Sequence, residues 1–84
     1  MNHLCLSQLD RGQSARIITM DQDAIVCQKL MNLGVMPLKT IRFVKTAPMG
    51  DPLEFEVDGL NFSVRRKDAC LIKVEPLNGA VTGS

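Results

Sequence analysis

Proton transfer, nucleophilic attack and metal binding draw on His, Cys, Ser and carboxylate side chains, and this chain offers few of them in usable patterns. His3 is the single histidine, two residues from Cys5. The pair has suitable donors, but zinc normally takes four ligands and iron(II) at least three. Asp51 with a neighbour is the other candidate, and no metal site or cofactor is expected from either. Cys5, Cys27 and Cys70 are odd in number, far apart and without CxxC spacing. Neither a disulfide framework nor a zinc knuckle is indicated, and Cys27 and Cys70 are expected to act as small buried hydrophobes. Glu54 and Glu56 share one face of a strand pattern, where solvated carboxylates are expected rather than a catalytic pair. No phosphate-cradling glycine loop precedes a helix. The expectation is that the chain is not an enzyme.

The residues that remain are apolar side chains in loops. Met36, Leu38 and Met49 lie in or beside turns, where they either plug the end of the fold or form a patch for a protein partner. Lys29 and Arg66 are the cations expected to support such a contact. Arg65-Arg66-Lys67 with Arg42 and Lys45 could form a basic stripe. The chain has no Trp or Tyr, however, and Phe43, Phe55 and Phe62 all fall on inward positions, so no stacking platform for nucleic acid is offered.

Eighty-four residues with a formal charge of +1 make one small domain with no global pull toward nucleic acid or an anionic membrane. No apolar run approaches the roughly 20 residues needed to span a bilayer. The N-terminus lacks the pattern of a signal peptide, so a cytoplasmic protein is expected.

The elements that must position these residues centre on a hairpin. Leu53 to Val57 and Leu60 to Val64 alternate apolar and polar residues around Asp58-Gly59, a pair suited to a type I′ turn. A two-residue loop pairs Val57 with Leu60, Phe55 with Phe62 and Leu53 with Val64. Glu54 and Glu56 then face Ser63 and Asn61. A one-residue slip would turn one strand's apolar set to water.

Before the hairpin, Leu4 to Leu9 has no clear periodicity. Gln13 to Met20 reads as a strand with apolar residues on both faces. Asp21-Gln22-Asp23 opens a helix of about ten residues, with an Asp as cap and Val26, Cys27, Leu30, Met31 and Leu33 as its apolar stripe. Gly34 stops it. Thr40 to Thr46 is a strand in which Val44 breaks the alternation, implying either two apolar faces or a bulge. Pro48 and Pro52 bracket a turn. Arg66 to Ala69 reads as a single helical turn, and Cys70 to Glu75 as a last strand ended by Pro76. Residues 77–84 are expected to be a disordered tail. About five strands and one short α-helix in residues 1–76 predict a small, partly open barrel.

In order along the chain stand Leu9-Asp10-Arg11-Gly12, Leu30-Met31-Asn32-Leu33-Gly34, Ala47-Pro48-Met49-Gly50-Asp51-Pro52, Arg65-Arg66-Lys67-Asp68-Ala69 and Ile72-Lys73-Val74. Together these resemble the FeoA family. The resemblance implies an SH3-like barrel and a role as an accessory to FeoB, the membrane transporter of bacterial ferrous iron uptake, by docking on its cytoplasmic part. With no stacking platform and no spanning apolar run, no nucleic-acid partner and no membrane insertion are expected. A related domain ends the DtxR-type repressors, which leaves a metal-responsive sensor using His3, Cys5 or Asp51, or a homo-oligomeric module, as alternatives. Two departures stand out. Leu38 follows Pro37 where the family often has Gly, so a turn of different shape is expected, since Leu resists positive φ. The middle of the helix reads Cys27-Gln28-Lys29, leaving Lys29 where the family tends to carry Arg.

Overall fold

The computed structural model describes residues 3–77. Its strands are β1 (Leu4–Cys5), β2 (Ser14–Met20), β3 (Thr40–Thr46), β4 (Leu53–Val57), β5 (Leu60–Val64) and β6 (Ile72–Pro76). Helix α1 (Ile25–Asn32) joins β2 to β3, the single turn α2 (Arg66–Ala69) joins β5 to β6, and a 3₁₀ turn (Leu6–Gln8) follows β1. All pairings are antiparallel, in the order β1-β6-β2-β3-β4-β5. The strands form one sheet that is not closed.

The β4–β5 hairpin has the register its sequence dictates, from Leu53 opposite Val64 to Val57 opposite Leu60. Asp58 and Gly59 both have positive φ, +53° and +84°, as a type I′ turn requires. Phe55 is fully buried, and its ring lies 5.2 Å from that of Phe43 on the neighbouring strand. One buried cluster gathers Ala15, Ile17, Ile41, Phe43, Leu53, Val64, Ile72 and Val74 from the sheet. Leu6 and Leu9 from the N-terminal segment, and Cys27, Leu30 and Val35 from the helix and its end, complete this core. Among the described residues no polar or charged side chain is buried.

Several expectations need correction. Leu4–Cys5 is a sixth strand, visible only because β6 holds it; two residues carry no periodicity. In β2, Ala15 and Ile17 are buried as the pattern predicts, but so is Met20, at odd spacing from them. The register against β6 shifts between Ile17 and Thr19, and this bulge turns Met20 inward. The Val44 irregularity is likewise a bulge, between Phe43 and Lys45.

Helix α1 starts at Ile25, with Ala24 as its cap and no side-chain capping bond. The Asp21 N–H still donates to the Leu71 carbonyl (3.1 Å), so the chain is held to the sheet there. Asp21 Oδ1 accepts from the Asp23 N–H (3.0 Å), closing a turn ahead of the helix. At the other end Val35 N–H donates to Leu30 O and Gly34 N–H to Met31 O, a Schellman motif with Gly34 at φ +104°. That motif brings Val35 into the core and leaves Leu33 exposed. Cys70 is exposed as well, because it caps α2 and β6 begins only at Ile72. Leu77 still donates its N–H to Ser14 O (3.0 Å), and the remainder of the expected tail lies outside the described residues.

Candidate partner-docking site

The five candidate contact residues fall into two groups at opposite ends of β3. Its six steps from Thr40 to Thr46 rise about 3.3 Å each, so the two ends stand roughly 20 Å apart. Met36 and Leu38 precede β3, while Met49 and Arg66 lie beyond its other end. Lys29 is exposed on α1, one turn before the end that leads to Met36.

Met36-Pro37-Leu38-Lys39 forms a tight turn closed by the Lys39 N–H donating to Met36 O (3.2 Å). Proline sits second, and the third residue, Leu38, has φ +78°. These are the features of a type II turn, whose third position belongs to glycine. The expectation of a differently shaped turn is therefore corrected: the glycine geometry persists with leucine in it. The Leu38 N–H donates to Ile17 O (2.7 Å) and the Ile17 N–H to Lys39 O (2.9 Å), so the sheet imposes this backbone. The isobutyl group is 77% exposed. The exposure is unfavourable, and the backbone strain alone costs about 1 kcal/mol or more. Leu33, at 61% exposure, and Met36 are the other exposed large apolar side chains on this connection. Leu33 carries no sequence signal for exposure, since it continues the helical stripe and is released only by the Schellman end. Lys39 ion-pairs with Asp58 at 2.8 Å, tying the turn to the tip of the β4–β5 hairpin.

At the opposite end, Ala47-Pro48-Met49-Gly50 turns back through the Gly50 N–H donating to Ala47 O (2.8 Å). Met49 is almost fully exposed. Arg66 is held here: its N–H donates to Asp51 Oδ1 (2.8 Å) and its Nη2 to Gly50 O (3.0 Å). Asp51 thus serves as a long-range cap for α2, a role its sequence neighbours do not disclose.

The basic stripe is interrupted. Arg42 and Lys45 stand opposite Glu56 and Glu54 across the β3–β4 ladder, and Arg42 ion-pairs with Glu56. A shallow groove lined by Ser14, Thr40, Arg42, Glu56 and Asp58 lies over this part of the sheet. The metal candidates are dispersed: among the described residues no three His, Cys, Asp or Glu side chains are placed to hold one ion. Cys5 Sγ instead accepts from Lys73 Nζ (3.2 Å). Cys27 is buried in the core, and burial pushes its thiol pKa up. No helix among the described residues is long and apolar enough to cross a membrane.

A FeoA domain match covers residues 4–76. The chain belongs to the FeoA family. The match spans all six strands and both helices. A Porphyromonas gingivalis Fe(2+) transport protein A/Fe(2+) transporter FeoB fusion protein is 33% identical over 79 residues. Those residues are 94% of this chain and 9% of the fusion, so the chain spans about a tenth of that relative. The solution structure of Chlorobium tepidum FeoA, 31% identical, superposes with a TM-score of 0.84 over 93% of this chain and 74% of that one. Stenotrophomonas maltophilia FeoA, a prokaryotic SH3 domain protein solved with zinc, is 28% identical with a TM-score of 0.73, over 86% of this chain and 89% of that one. This FeoA chain is accordingly an SH3-like fold, as its sequence implies.

Proposed function

We propose that this chain is an accessory of ferrous iron uptake that docks in the cytoplasm on a FeoB-type transporter, through the turn centred on Leu38. The observation that carries the surface is Leu38 itself: a large apolar side chain held in glycine geometry and exposed to water. A glycine would relieve the strain, so the leucine side chain is retained for what it touches. Leu33 and Met36 extend the contact, and Lys29 borders it with a positive charge. The P. gingivalis relative supports the partner, because there a matching region shares one chain with a FeoB transporter. Fusion raises the effective concentration of a weak intramolecular contact, which suits docking of this kind. Met49 and Arg66, some 20 Å away by the length of β3, lie outside a single small contact.

The test is capture of the transporter's cytoplasmic part by this chain, with and without GTP. Binding that Leu38→Glu abolishes in a folded protein is the expected result. Binding untouched by Leu38→Glu, or lost instead with Met49→Ser, refutes the surface. No capture in either nucleotide state refutes docking on that part.

A further inference from the structure

The sheet ends at β5 in an open edge. In the β4–β5 hairpin, Val57 and Leu60 flank a two-residue turn and exchange backbone hydrogen bonds. The same pattern recurs at Phe55–Phe62 and Leu53–Val64. The backbone N–H and C=O groups of Asn61 and Ser63 therefore point away from β4. Among the described residues they meet no backbone or side-chain partner.

Edge strands are normally guarded by charges, proline, a bulge or extreme shortness. The opposite edge, β1, is guarded in the last way, being two residues long. β5 has none of these guards. Its five residues, Leu60-Asn61-Phe62-Ser63-Val64, carry no charge or proline, and the register against β4 is continuous.

From this we infer that β5 pairs with β5 of a second copy, antiparallel about a two-fold axis at Phe62. The register is self-complementary. Asn61 of one copy meets Ser63 of the other, and the two outward-facing pairs supply four backbone hydrogen bonds. Phe62 faces its own equivalent in the closely spaced position, where aromatic cross-strand pairs are favourable. Leu60 faces Val64, which gives cover to a side chain now 57% exposed and to a half-buried Phe62. Just past the strand ends, Arg65 comes opposite Gly59 and next to Asp58 of the other copy, so the flanking charges attract at both ends. A two-fold interface is necessarily isologous, and this strand satisfies that requirement with no like charges opposed. The product is a continuous twelve-stranded sheet, formed without the Leu38 turn and independent of the docking proposal.

The interface is small, so a Kd on the order of 100 µM is expected. Sedimentation velocity on the full chain from about 10 µM to about 1 mM reads it directly. Backbone amide exchange supplies the positional readout: Asn61 and Ser63 should become protected as concentration rises, with Leu60 and Phe62 unchanged. The double variant Asn61→Lys/Ser63→Lys sets lysines against each other across the two-fold axis. Within each hairpin those lysines face Glu56 and Glu54, so the monomer stays folded. It should remain monomeric at about 1 mM, while Leu38→Glu should dimerise like the parent. A chain that is monomeric throughout this range overturns the inference. So does a dimer that the double variant leaves intact, or one that forms without new protection at Asn61 and Ser63.

Discussion

Replacing Leu38 with glycine should make the protein more stable and less functional. A non-glycine residue in the left-handed region costs about 1–2 kcal/mol, and Leu38 sits there at φ +78°. Glycine removes that cost but gives the unfolded chain more freedom, at about 0.5–1 kcal/mol. The side chain is largely exposed, so little buried area is lost. The net expectation is a gain of about 0.5–1 kcal/mol, equivalent to a rise in Tm of roughly 2–8 °C for a domain of this size. Leu38→Ala is the control, because it keeps the Cβ and hence the strain while removing the isobutyl group. It should stay within about 0.5 kcal/mol of the parent. Urea denaturation of the three proteins decides the matter, and both variants should lose transporter binding. If Leu38→Gly is no more stable than Leu38→Ala, the turn is not strained and the functional argument built on it fails.

Other expected outcomes follow from the packing. Phe55→Ala empties a fully buried core position and should cost about 3–5 kcal/mol, read as a large fall in the urea midpoint followed by circular dichroism. Asp51→Ala removes the cap on α2 and should cost about 1 kcal/mol by denaturant midpoint, with Asp51→Asn recovering most of the loss. Burial raises the pKa of the Cys27 thiol above its value in the unfolded chain. The folded state then holds the proton more tightly, so Cys27's contribution to stability is complete below the unfolded pKa and falls as pH rises past about 9. Cys27→Ala should flatten that alkaline decline, and iodoacetamide at neutral pH should label exposed Cys70 well before Cys27.

Where local chemistry and periodicity agree, the sequence is sufficient. The hairpin from Leu53 to Val64 is legible to the residue, because Asp58-Gly59 fixes the loop length and the alternation then fixes both faces. The bulge at Val44 shows as a break in that alternation. The bulge at Ile18 does not, since Ile17, Ile18 and Met20 are all apolar and any register looks acceptable. β1 is invisible because a two-residue strand exists only through its long-range partner Val74. Cys70 misleads for a related reason: its apolar character fits a strand, but α2 delays the strand by two residues.

The sequence names the residues of the proposed docking surface but not their arrangement. Their places in turns leave Met36, Leu38 and Met49 either plugging the end of the fold or exposed, and the fold exposes all three. Only the fold reveals that β3 separates Met49 from the other two. The strain at Leu38 could not be inferred from the Pro-Leu dipeptide, whose leucine should avoid that geometry. It arises because hydrogen bonds to Ile17 hold the backbone on both sides of the turn. The cap from Asp51 to Arg66 spans 15 residues and leaves no local signature.

The most direct test of docking through Leu38 is calorimetric titration of this chain, as wild type and as Leu38→Glu, into the cytoplasmic part of its FeoB-type transporter. A central apolar anchor is worth about 2 kcal/mol or more. Leu38→Glu should therefore weaken binding at least about 30-fold while leaving the unfolding midpoint unchanged. Equal affinities for the two proteins would contradict the account.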